Sequence, residues 1–142
     1  MKLKEIMSKE IVSLKPTDSI EKAAQLMKQY NVGSIPICKQ DSVVGIVTDR
    51  DIALRSVAPG QKKQQTISEV MTLNPVVGTP DMDVHEVVRI MSEKQVRRLP
   101  VVDNNNLVGM VSLGDISVEP NLSDNAEKAL ENISRASTNR FS

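Results

Sequence analysis

The stretch Gly45-Ile46-Val47-Thr48-Asp49-Arg50-Asp51-Ile52 (GIVTDRDI) passes from an apolar, strand-like run into a hydroxyl and two carboxylates. A near copy, Gly109-Met110-Val111-Ser112-Leu113-Gly114-Asp115-Ile116 (GMVSLGDI), follows later in the chain. The shift that carries Gly45 onto Gly109 also carries Met7, Val12, Pro16, Met27, Val32, Pro36 and Val44 onto Met71, Val76, Pro80, Met91, Val96, Pro100 and Val108, with no gap. Two copies are too few for a solenoid, in which three or more units share a continuous core. The expected arrangement is a pair of half-domains facing each other across a pseudo-two-fold axis.

Each copy reads alike. Ile11-Val12 or Val76-Val77 forms a short strand and leads to Pro16 or Pro80, and Asp18/Ser19 or Asp81/Asp83 then offer helix caps. Ile20, Ala23, Ala24 and Met27, or Val84, Val87, Val88 and Met91, recur at helical spacing and predict one buried stripe. The runs Ile35-Pro36-Ile37-Cys38 and Leu99-Pro100-Val101-Val102 predict strands whose proline confines them to an edge or a first strand position. Lys39–Ser42 and Asp103–Asn106 have the length and polarity of hairpin turns, returning into Val43–Val47 and Leu107–Val111. A second helix follows Thr48 or Ser112, running to about Val57 in the first copy and cut short by Pro120 in the second. Ala58–Gln65 links the copies. Ser123-Asp124 caps a last helix with Ala126, Ala129, Leu130 and Ile133 on one face, and a polar, frayed end is expected from Ser134. The expected division is 1–60 with an N-terminal lead-in helix, 61–122, and 123–142.

Composition narrows the function. With 142 residues the chain makes one domain or two small ones. One Tyr, one Phe and no Trp leave the core to aliphatic residues and Met, and provide almost nothing for bases to stack on. Eighteen basic and eighteen acidic side chains cancel, so no global field draws nucleic acid or an anionic membrane. No signal-peptide core or membrane-length apolar run is present, so a soluble, cytoplasmic protein is expected. Cys38 is the single cysteine and reads as a small buried hydrophobe; His85 has no metal-ligand company.

The paired β-α-β-β-α units, each with an apolar-Pro-apolar strand followed by Gly-x-Val-Thr/Ser-x-x-Asp, resemble tandem cystathionine β-synthase (CBS) domains, together called a Bateman module. The likeness spans about residues 1 to 120. It implies an α/β (α+β) fold and a free-standing regulatory pair that is not an enzyme. Such a pair needs no cofactor, takes AMP, ADP, ATP or S-adenosylmethionine in clefts between the repeats, modulates a protein partner and forms a homodimer.

Thr48-x-x-Asp51 and Ser112-x-x-Asp115 read first as capping boxes, in which the hydroxyl accepts the N3 amide and the carboxylate returns the bond. A carboxylate can also accept both hydroxyls of a ribose, and a cap uses only part of its capacity. The resemblance gives Asp51 and Asp115 the ribose, with Thr48 and Ser112 toward sugar or phosphate. It gives the adenine a slot at Ile11, Val12, Ser34, Ile35 and Pro36 in one copy and at Val76, Val77, Arg98, Leu99 and Pro100 in the other. Arg50, Arg97 and Arg98 are the phosphate candidates, and they differ between copies: Gly114 stands opposite Arg50, while Gly33 and Ser34 stand opposite Arg97 and Arg98. Arg55, Arg89, Lys62 and Lys63 read as solvated surface. The competing functions are a ligand-free dimerisation adaptor and, more remotely, a nucleotide-acting enzyme.

Overall fold

The computed structural model of the chain describes residues 1–60, 64–120 and 122–139, so Lys62 and Lys63 lie outside the described residues. Helix α1 (Ile20–Tyr30) starts where Ser19 Oγ accepts the Lys22 amide at 3.1 Å, and it ends at Asn31 in the left-handed region. Strands β1 (Ser34–Lys39) and β2 (Ser42–Thr48) form an antiparallel hairpin, with Ile35 opposite Val47. Helix α2 (Asp49–Ile52) continues as a π-helical turn over Ala53–Val57, where Ser56 Oγ donates to Gln65 Oε1 at 2.7 Å. After strand β3 (Thr72–Leu73), the second copy repeats the order as α3 (Val84–Lys94), β4 (Arg98–Asp103), β5 (Asn106–Ser112) and α4 (Leu113–Ser117). Asp83 caps α3 through the His85 amide at 2.8 Å. Helix α5 (Ser123–Asn139) runs past the point where fraying was expected.

The first strand of each copy is shorter than expected. Leu14 makes a single parallel bridge to Ile37, its amide donating to Pro36 O and its carbonyl accepting from Cys38; Gly78 does the same with Pro100 O and Val102. Extending either ladder upstream toward Val12 or Val76 would need an amide from Pro36 or Pro100, and proline has none. Ile11-Val12 and Val76-Val77 therefore lie outside the sheet. In α1 the buried stripe is Ile20, Ala23 and Met27, with Leu26 half-buried and Ala24 exposed.

The residues form two compact units that cut across the repeats. One, around α1, comprises Val12–Pro75 and Asn105–Leu107; the other, around α3, comprises Met1–Ile11, Val76–Asn104 and Val108–Ser142. The lead-in of each copy therefore belongs to the unit of the other copy. In the α3 unit the 3₁₀ turn Leu3–Glu5 donates from Leu3 to Met82 O at 2.9 Å and from Lys4 to Pro80 O at 2.9 Å, and Ser8 pairs with Met110. In the α1 unit the turn Ile67–Glu69 donates from Ile67 to Asp18 O at 2.9 Å and from Ser68 to Pro16 O at 3.0 Å, and Thr72 pairs with Ile46. Leu3 is fully buried with Val84, Val87, Met91, Leu99 and Val111; Ile67 is fully buried with Leu14, Ile20, Ile35 and Val47. Burying one such side chain contributes roughly 1.5–3 kcal/mol. In the α3 unit Asp81 bonds and pairs with Lys4 and Lys2, which hold its carboxyl below the usual range.

The exchange explains the first residue of GIVTDRDI. A Cβ on Gly45 would stand 2.9 Å from Met71 Sδ and 2.9 Å from Thr72 O; one on Gly109 would stand 2.7 Å from Met7 Sδ and 2.9 Å from Ser8 O. The methionine can yield, but the carbonyl oxygen is held by strand pairing. Gly45→Ala and Gly109→Ala should each lower unfolding free energy by about 1–3 kcal/mol, the usual range for overpacking a well-filled site, as read from urea denaturation. Wild-type stability in either variant would show that the lead-in is not held tightly.

Candidate functional site

Both predicted boxes are formed. Asp51 N–H donates to Thr48 Oγ1 at 3.0 Å and Thr48 N–H to Asp51 Oδ2 at 3.0 Å. Asp115 N–H donates to Ser112 Oγ at 3.1 Å and Ser112 N–H to Asp115 Oδ2 at 2.9 Å. Each box holds its carboxylate through Oδ2 and leaves Oδ1 outside the reciprocal pair. In the first copy Oδ1 lies 4.0 Å from Arg55 Nε, while the Arg55 guanidinium also donates to Val70 O at 3.2 Å and Met71 O at 3.3 Å. Arg55 is exposed, as its reading as solvated surface expected, and it also ties the π-helical turn to the exchanged lead-in; its place one helical turn after Asp51 was the available signal.

The segments leading into the two boxes also match. Asp49 N–H donates to Gly33 O at 3.0 Å, and Leu113 N–H to Arg97 O at 2.8 Å. In the α1 unit Ser34 sits opposite Thr48 across the hairpin, and its Oγ is buried with no hydrogen-bond partner. A buried polar atom left unpaired costs about 1–3 kcal/mol. Ile35 and Pro36 are buried, and Ile35 with Val12 belongs to the core around α1; Ile11 is grouped with the other unit. Arg50 is exposed on α2.

In the α3 unit the structure brings together residues that are distant in sequence. Arg97 and Arg98 from the start of β4, and Ser112, Leu113 and Gly114 from the β5–α4 junction, line one cavity of about 490 Å³. Helix α5 supplies the facing wall with Ser123, Ala126, Glu127 and Leu130. Leu99 and Pro100 are buried, Val76 packs against the same core, and Val77 is half-buried; none of these lines the cavity. The contribution of α5 was not foreseen. Its apolar face was legible, and Ala126, Ala129 and Ile133 are indeed buried, but a helix outside the repeat has no counterpart to indicate its destination. Asn132 fixes it to α3, its Nδ2 donating to Ser92 O at 2.9 Å.

Burial pushes the Cys38 thiol up, and Ser13 and Asp41 are its other influences. Among the described residues no group of three or more His, Cys, Asp or Glu side chains could hold a metal ion, and no helix is long and apolar enough to cross a membrane.

Two mixed helix-and-sheet repeats with twin capping boxes after a Gly-containing strand define a CBS-type pair. The CBS domain family model matches residues 3–57 and 67–120, and the chain belongs to that family. It is 46% identical over 132 residues to the CBS domain-containing protein YhcV of Bacillus subtilis, covering 93% of this chain and 94% of that protein. Among solved structures it resembles the CBS domain pair of protein MJ0100 in complex with 5′-methylthioadenosine and S-adenosyl-L-methionine (TM-score 0.73, 34% identity, covering 82% and 93% of the two chains). It also resembles Hypoxic Response Protein I with two coordinated zinc ions (TM-score 0.76, 30% identity, covering 84% and 98%).

Two outcomes follow from this geometry. Thr48→Ala and Ser112→Ala should each cost about 0.5–2 kcal/mol, the usual worth of an N-cap, in chemical denaturation. With its thiolate disfavoured by burial, Cys38 should alkylate slowly at neutral pH and rapidly once the chain is unfolded; equal rates in mass-spectrometric time courses would contradict its burial.

Proposed function

We propose that the chain is a cytoplasmic regulatory module that binds an adenosine-containing ligand at its CBS repeats and modulates a protein partner, without catalysing a reaction itself. The observation that carries this reading is the shared cavity of Arg97, Arg98 and Ser112 next to the second capping box. Asp51 and Asp115 hold the ribose through the oxygen the box leaves over, and the short hydroxyls Thr48 and Ser112 sit beside it. The segments Val12 with Ser34–Pro36 and Val76-Val77 with Leu99-Pro100 flank the adenine. Arg50 serves the anionic part of a ligand in the first copy, as Arg97 and Arg98 do in the second. The unpaired Ser34 hydroxyl supports a ligand in the first copy as well. AMP, ADP, ATP and S-adenosylmethionine all carry the required adenosyl group.

Self-association belongs to the same reading. Leu54 and Val118 occupy equivalent positions in the two repeats, and both are largely exposed, at 52% and 75%. An apolar residue kept at the surface in both copies supports a homodimer interface. Leu54→Glu with Val118→Glu should halve the mass measured by light scattering; an unchanged mass would remove these residues from the interface.

Ligand binding is checked by thermal shift. At one hundred times the dissociation constant a ligand adds about 2.7 kcal/mol of stability, and Asp51→Asn with Asp115→Asn should abolish the shift while the chain remains folded. A melting temperature unmoved by millimolar AMP, ADP, ATP and S-adenosylmethionine would favour the ligand-free adaptor.

A further inference from the structure

The cavity in the α3 unit carries both signs of charge. Arg97, just before β4, and Arg98, its first residue, line it from one side, and Glu127 lines it from α5. Among the described residues none of the three forms an ion pair, with each other or with any neighbour, although Arg89 and Arg55 elsewhere are paired. Two guanidiniums and a carboxylate therefore share one cavity of about 490 Å³ without pairing with one another. Ser112 and Ser123 add hydroxyls, while Leu113, Ala126 and Leu130 supply apolar surface.

A polyphosphate fits this lining poorly, because the carboxylate repels it. A zwitterion fits both signs. Guanidinium groups suit a carboxylate through paired, charge-assisted hydrogen bonds, and a carboxylate suits an ammonium group. Glu127 also lies beyond residue 120, where the second family match ends, so it is an addition to the repeat rather than part of it.

We propose that this cavity receives the α-amino-acid end of an adenosyl ligand, Arg97 and Arg98 holding its carboxylate and Glu127 its ammonium group. The assignment rests on the adenosyl reading of the same site and selects among its ligands: one bearing an amino acid is preferred over a nucleoside phosphate. Glu127 is then the specificity-determining residue.

Isothermal titration calorimetry on the full chain tests this with S-adenosylmethionine, 5′-methylthioadenosine and ATP, in wild type and Glu127→Gln. The second compound keeps the adenosyl group and lacks the amino acid. Wild type should favour S-adenosylmethionine over 5′-methylthioadenosine, and Glu127→Gln should reduce that preference by about tenfold or more, the worth of one charged hydrogen bond. The same variant should bind ATP more tightly than wild type does. An unchanged preference in Glu127→Gln, or wild-type ATP binding tighter than that of S-adenosylmethionine, would overturn the amino-acid assignment while leaving the adenosyl reading intact. Binding of none of the three compounds would overturn both.

Discussion

Everything in this molecule hangs on two short lead-ins, each of which completes a core built by the other repeat. Leu3 and Ile67 are fully buried, each fixed by a pair of amide bonds to the loop before a helix, Pro80 to Met82 and Pro16 to Asp18. The bonds match one for one, so a single local solution is used twice. A short strand contact then follows, Ser8 with Met110 and Thr72 with Ile46, and this contact reaches the strand that leads into the capping box. Gly45 and Gly109 open that strand to the lead-in; three residues later Thr48 and Ser112 start the helices that hold Asp51 and Asp115. Packing constraint and candidate chemistry thus share one eight-residue stretch.

The capping box and the ribose reading do not compete. A box fixes the carboxylate through Oδ2 and so settles the side-chain rotamer before any ligand arrives, and preorganisation of this kind lowers the ordering cost of binding. In the first copy Arg55 reaches from the π-helical turn toward Oδ1 of Asp51 while holding two carbonyls of the lead-in. A ligand that drew on Oδ1 would compete with that contact. Ligand occupancy and lead-in anchoring therefore meet at one guanidinium, a physical route by which binding could reach the packing of the fold.

Much of this was legible from residues alone, for identifiable reasons. The repeat was visible because Met, Pro, Gly and Asp recur without a gap, and the caps because Ser19, Asp83, Thr48 and Ser112 precede helical apolar spacing. The partner of each lead-in was not legible. Leu3 and Ile67 are nearly interchangeable, as are Met7 and Met71, and nothing local tells one aliphatic core from the other. The truncated first strands followed from an amide that Pro36 and Pro100 lack, which periodicity does not register. Of the candidate site, Arg97, Arg98 and Ser112 line one cavity, an assignment the sequence had left open, and the wall from α5 came from outside the repeat, where comparison of the copies has no reach.

The differences between the copies are themselves structured. Where the first has Gly33 and Asp49, the second has Arg97 and Leu113, and in both the later amide donates to the earlier carbonyl, at 3.0 and 2.8 Å. A Cβ on Gly33 would come within 3.2 Å of Asp49 Oδ2, so a side chain there requires the carboxylate to give way. The second copy has made both changes: its Leu113 is buried at 7% exposure, and Arg97 turns a cation into the cavity lining. One backbone frame thus carries two linked pairs, glycine with aspartate or arginine with leucine. The two copies thus differ at this pair of positions, while the glycine, hydroxyl and aspartate that build the frame stay fixed.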